Sequence, residues 1–248
     1  MNMRKFVFVL MVCALGMMSC ESDSLNVKNG LSVRLYHEES HQIDAESKSI
    51  ISYRSDDDYH ATVNEQGLVT ANYVGKTNVV LTNESGDVAN VEVDVIPVSN
   101  LYPEPNLSFG ETEYSVFSKY GMPDVVDDDY YFYADYSPNA PFMLVSFDDG
   151  MVDTYSVLVN ASTNVEELET FLDERYKYLF STEDNIFYMN ALSVLDATMS
   201  VGVGVMTLGY EVYILVVYMD GETYKSTSNM EEIKDRFMKN VNGFMNTH

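Results

Sequence analysis

From about Leu31 to Val95, apolar residues recur at every second position in short runs separated by turn residues. The runs "LSVRLY" and "IISYRS" have the period of half-buried strands. "TVNEQGLVTA" reads as two strands around Gln66-Gly67, and "VGKTNVVLTN" with "VANVEVDVIP" repeats the device around Gly75 and Ser85-Gly86. No helical period interrupts them. Short strands at this spacing predict a small β-sandwich over residues 30–97.

Pro97, Pro103 and Pro105 bracket "VSNLYPEPN", which reads as a stiff linker over 98–108. Beyond it the period changes. Val165, Leu168, Phe171, Leu172, Tyr176 and Leu179 recur at helical spacing behind Asn164 and Glu167, a capping-box-like pair, and predict a helix over 164–180. Met230, Ile233, Phe237, Val241 and Phe244 form a second stripe behind Asn229. A shorter helix is expected near 111–120. Between them lie six strand-like runs with hairpin signals at Asp149-Gly150 and Asp220-Gly221. "LVSFDDG" and "LVVYMDG" are each followed by "NVEEL" or "NMEEI". That is either an internal duplication or ordinary reuse of hairpin and cap chemistry. The expected fold is multi-domain: an all-β sandwich, then an α+β domain over 109–248 with antiparallel strands and two to three helices.

The first residues follow neither pattern. Arg4 and Lys5 precede an apolar run from Phe6 to Met18. That run is too short for a bilayer span of ~20 residues and suits the core of a secretion signal over 1–19. "MMSC" resembles a lipobox, the cleavage site of bacterial lipoproteins. The resemblance implies cleavage before Cys20 and acylation of its sulfur, with residues 20–29 as a polar tether. Cys13 would leave with the signal, so no thiol would remain for a disulfide, a zinc site or a nucleophile.

Loss of Arg4 and Lys5 would take the 14 basic residues to 12 against 39 acidic ones, moving the net charge from −25 to −27. Such a charge repels nucleic acid, which is excluded as a partner. The expected contacts are a membrane, through the lipid anchor, and a protein or glycan partner. The expected location is the cell envelope, at the outer membrane.

Ser55, Ala61, Val63, Gly67, Val69, Thr70, Ala71 and Gly75, followed by "TNVVL", resemble the bacterial Ig-like domain of group 2. Tyr53 stands where members usually carry tryptophan. The resemblance implies a sandwich that acts as a spacer, adhesin segment or glycan-protein module, and it brings no catalytic residues. "GETEYSVFSKYGMPD" resembles, more loosely, the opening of small envelope lipoprotein modules of the outer-membrane assembly and β-lactamase-inhibitor-like type, which bind other proteins.

Several groups are candidates for chemistry. Asp56, Asp57 and Asp58 in "SDDDY", Asp127, Asp128 and Asp129, and Asp148-Asp149 offer oxygen ligands, but none forms an alternating calcium loop. Neighbouring acids point apart in extended chain, so these read as solvated turns; Asp127–Asp129 are the ones to examine for metal. His37, His41 and His60 are too scattered for a site, and His60 is expected to be exposed. "VGVGV" at 201–205 lacks the lysine of a phosphate loop and reads as a strand. Tyr130, Tyr131, Tyr133 and Tyr136 crowd one strand region. A row of them left exposed would suit sugar rings or a protein surface.

The function expected is a non-catalytic, lipid-anchored envelope protein without cofactor, whose Ig-like spacer presents an α+β protein-binding module. The alternatives are a glycan-binding accessory lipoprotein using exposed tyrosines and an envelope-polymer hydrolase using paired carboxylates.

Overall fold

A computed structural model describes residues 23–208, 210–221 and 235. The expected signal, Cys20, the C-terminal helix and the strand that would follow Asp220-Gly221 lie outside the described residues. Nine strands build the first unit: β1 (Asn26–Val27), β2 (Ser32–Leu35), β3 (Ser40–Gln42), β4 (Ala45–Glu46), β5 (Ile51–Ser55), β6 (Ala61–Val63), β7 (Leu68–Ala71), β8 (Gly75–Asn83) and β9 (Val88–Val95). One sheet has the order β2-β9-β8-β5, with β2 parallel to β9; the facing sheet is β3-β7-β6; β1 and β4 form a separate pair. The alternation holds along β8 and β9, where Val79, Leu81, Val91, Val93 and Val95 are buried against Ile43, Ala61, Val69 and Ala71. The Asn64 carboxamide accepts from the Gln66 and Leu68 amides and closes the β6–β7 turn. Gly67 completes it at φ +79°, and a Cβ there would stand 2.8 Å from the Tyr53 ring, so the aromatic at the family's tryptophan position packs directly on this turn.

Two segments expected to lie outside the domains, the polar tether and the stiff linker, are part of the body. In the expected tether, β1 pairs with β4, and the Asp23 carboxylate accepts from Ser47 and Ser85 hydroxyls and from the Lys48 amide. The Ser49 amide and hydroxyl and the Asn83 carboxamide also donate to it. The expected linker likewise buries Ser99, Leu101 and Tyr102.

The second unit begins with α1 (Glu113–Tyr120), capped by Thr112 and ended by Gly121 at φ +82°. β10 (Val125–Asp127), β11 (Tyr130–Ala134), β12 (Phe142–Asp148) and β13 (Met151–Asn160) follow, then α2 (Ala161–Asp173), β14 (Lys177–Ser181), β15 (Asn185–Met189), β16 (Met199–Leu208) and β17 (Glu211–Asp220). The eight strands make one antiparallel sheet in the order β10-β11-β12-β13-β17-β16-β15-β14. A helix followed by four strands therefore occurs twice, and the last strands of the two halves, β13 and β17, pair at the centre. The look-alike segments are not equivalent within this repetition. "LVSFDDG" ends β12, the third strand of its half, whereas "LVVYMDG" ends β17, the fourth.

α2 differs from the expected helix at both ends. It is capped by Asn160, whose carboxamide accepts from the Ser162 amide, so Asn164 lies inside the helix. It stops at Asp173, and Leu179 belongs to β14. Val116 of α1 and Leu168, Phe171 and Leu172 of α2 pack on one sheet face with Val145, Tyr155, Val157 and Val216. The opposite face buries Phe132, Leu144, Leu158, Leu215 and Val217. By strand register this second face also holds Ser146, Thr154, Ser156, Asn185 and Ser200, whose side chains each keep a buried polar atom without a partner among the described residues. "VGVGV" lies in β16, as its period-2 pattern predicts.

Candidate functional site

The two units meet at the residues just after α2. Glu174 is only 2% exposed and caps the helix, so its carboxylate must find partners inside the protein. It accepts from the amides of Val98 and Ser99 at 2.7 and 3.0 Å. Arg175 completes the neutralisation at 2.5 Å. The guanidinium also donates to the Phe171 and Ser99 carbonyls and lies 3.8 Å from the Phe171 ring centroid. The backbone of the same two residues serves the Ig-like unit. The Val74 amide donates to the Glu174 carbonyl at 2.8 Å, and the Tyr59 hydroxyl to the Arg175 carbonyl at 2.6 Å. Tyr59 stacks on Tyr73 with ring centroids 4.6 Å apart, and burial pushes its hydroxyl well above the usual tyrosine range. Side chains thus hold the linker while carbonyls hold the sandwich.

A cleft of about 680 Å³ opens beside this junction. Asp57, Asp58, Tyr59 and His60 come from the β5–β6 loop, Glu104 from the linker, and Arg175, Tyr176, Asn190 and Asp196 from the second unit. His60 is half-buried, not exposed as expected. Its ring occupies the space of a missing side chain at Gly75, where a Cβ would come within 2.2 Å of it. Its Nδ1 meets the Tyr73 carbonyl at 3.2 Å, and Asp57 lies 3.8 Å away. Glu104 stands in the cleft wall, open to solvent but enclosed by protein. Burial raises its carboxyl above the ordinary range, while the Tyr176 hydroxyl bonded to it and the Arg175 charge pull the other way. Behind it, the Tyr102 and Tyr218 hydroxyls bond to each other at 2.7 Å in the core. The cleft offers acid and aromatic surface, and its cation, Arg175, has donors already engaged by Glu174, Phe171 and Ser99.

The residues singled out from the sequence stand elsewhere. Asp127 ends β10 opposite Tyr130, and Asp128 and Asp129 are the two exposed turn residues between β10 and β11. Among the described residues, no three His, Cys, Asp or Glu side chains gather to hold a metal. Asp56 pairs with Arg54 at 2.8 Å, and Asp149-Gly150 turns the β12–β13 hairpin with both residues at positive φ. The four tyrosines do not form one exposed row. Tyr130 and Tyr133 are buried on opposite faces of β11. Tyr131 and Tyr136 are half-buried, with hydroxyls donating to Glu113 at 3.0 Å and to the Pro103 carbonyl at 2.6 Å. Glu174 and Arg175 are not legible in the sequence, because one acid or base in so charged a chain carries no local signal.

Residues 16–93 match the family model of the bacterial Ig-like domain (group 2), just under a third of the chain. The chain therefore joins a bacterial Ig-like domain to an eight-stranded unit carrying two helices among the described residues. Among solved structures, the crystal structure of an intimin mutant from EHEC O157:H7 aligns over 42% of this chain and 62% of its own length, with 13% identity and a TM-score of 0.28. The alignment thus spans less than two thirds of the intimin chain. No match is found among curated proteins. No helix among the described residues is long and apolar enough to cross a membrane.

Proposed function

We propose that this is a non-catalytic, lipid-anchored protein of the outer membrane, in which the Ig-like domain is a stand-off and the eight-stranded unit binds a protein partner. The reading of Cys20 as the acylated residue rests on its lipobox-like setting. The partner reading rests on one observation, an apolar patch left open on the sheet. Tyr178, Ile186, Val205 and Val212 are 55, 41, 62 and 45% exposed. By register they lie on the face that α2 covers only in part, on four successive strands, β14 to β17, with half-buried Ile214 beside Val205. β14 is the last strand of the sheet, so its outer edge is free to pair among the described strands. An exposed apolar face beside an open strand edge suits an extended segment of another protein.

A photoreactive amino acid at 186 or 205 in the full chain tests this in living cells. Crosslinking to one protein from both positions, lost with Tyr178→Glu, is the expected result. No protein adduct from either position, together with retention of the purified chain on envelope glycans, would overturn it in favour of glycan binding.

A further inference from the structure

The Asp23 clamp and the junction lie at opposite ends of the sandwich. β8 starts at Gly75, next to Val74 at the junction, and ends at Asn83, whose carboxamide reaches Asp23. β5 runs from Ile51, paired with Asn83, to Ser55, one turn before the Tyr59 loop. Nine residues at ~3.3 Å per residue put about 30 Å between these two poles. Two exposed apolar side chains flank the clamp. Ile50, directly after Ser49, is 74% exposed, and Val88, directly after the β8–β9 turn, is 61% exposed. Lys48 lies two residues before Ile50 in the chain.

We propose that this pole of the Ig-like domain rests on the lipid surface, with Ile50 and Val88 in contact with it; the proposal builds on the acylation of Cys20 proposed above. Its basis is the length of chain between anchor and clamp. Cys20 precedes Asp23 by three residues, and three extended residues reach at most about 10 Å. Asp23 is held by three hydroxyls, two backbone amides and a carboxamide, so the strand pair β1–β4 begins essentially at the membrane. Acyl chains in the bilayer therefore bring Ile50 and Val88 to the headgroup layer and hold the eight-stranded unit at the far pole. Charge does not drive the contact, because a chain this acidic is repelled by anionic lipid. The contact follows from the tether and from apolar side chains, so a zwitterionic surface suffices.

The full chain, processed in a Gram-negative host and placed in phosphatidylcholine vesicles, provides the test. Its native cysteines are Cys13 and Cys20, so after processing an introduced cysteine is the sole free thiol. Fluorophores are attached in separate variants at Ile50→Cys, Val88→Cys and Asp196→Cys, and nitroxide-headgroup lipid is added. Quenching at 50 and 88 with none at 196 is the expected result. A flexible Gly/Ser stretch inserted after Ser22, which leaves the clamp and fold intact, should reduce quenching at 50. Acylated, vesicle-bound protein with no quenching at 50 and 88, or with equal quenching at 196, overturns the docking while leaving the anchor standing. A mature chain whose mass lacks acyl groups overturns the anchor and the docking with it.

Discussion

Glu174 and Asp23 are both carboxylates saturated with donors, yet they differ in what solvent does to them. Glu174 is buried with Arg175, so removing the acid strands a cation as well as two linker amides. Breaking such a pair costs on the order of 3–5 kcal/mol. Glu174→Ala is accordingly expected to lower stability by roughly that amount in chemical denaturation, with Glu174→Gln losing less because an amide oxygen still accepts from Ser99. Asp23 is solvent-accessible, and the Ser49 hydroxyl, followed by the Lys48 amide and the other serines, lowers its carboxyl from 3.8 to about 2. A lowered folded-state value means the folded chain favours the ionised form, so the contribution is present above the unfolded value and lost as pH falls through the folded one. The stability gap between the native chain and Asp23→Asn should hold at neutral pH and close between about pH 4 and pH 2 in acid titration. A gap independent of pH would show that the carboxylate charge is not what the serines hold.

At the scale of elements, the sandwich was readable because alternation and turn chemistry agree along it, and Gly67 sits where the pattern requires a turn. The helix α2 was half readable. Its buried stripe, Leu168, Phe171 and Leu172, was found, but both ends were displaced. "KYLFS" satisfies a helical stripe through Tyr176 and Leu179 as well as a strand alternation, and no glycine or proline marks the stop. Tertiary pairing of β14 with β15 decides the matter. At the start, Asn164 carries the better cap signature, yet β13 must reach Asn160 to pair with Tyr213, and the helix begins as soon as that pairing ends. Asn160→Ala is therefore expected to cost about 1 kcal/mol through lost capping, measured by thermal denaturation. The tyrosines of β11 stand out by composition, which does not tell a strand buried on both faces from one with a wet face.

At the scale of the whole molecule, the consequential features are those that join distant segments. The junction brings Tyr59 and Val74 to residues 174 and 175, a separation no local pattern encodes, and it converts a proline-rich connection into a clamped one. The cleft is a product of the same meeting, assembled from five separated stretches of chain, at residues 57–60, 74, 104–107, 175–176 and 190–199. The Glu174–Arg175 junction is expected to hold the Ig-like domain and the eight-stranded unit as one rigid body. Spin labels at Glu84→Cys, beside the Asp23 pole, and at Leu195→Cys in the second unit, placed in a chain starting after Cys20, test it by pulsed electron–electron distance measurement. One narrow distance distribution that broadens with Glu174→Ala is the predicted result; a distribution already broad in the otherwise native chain would contradict it.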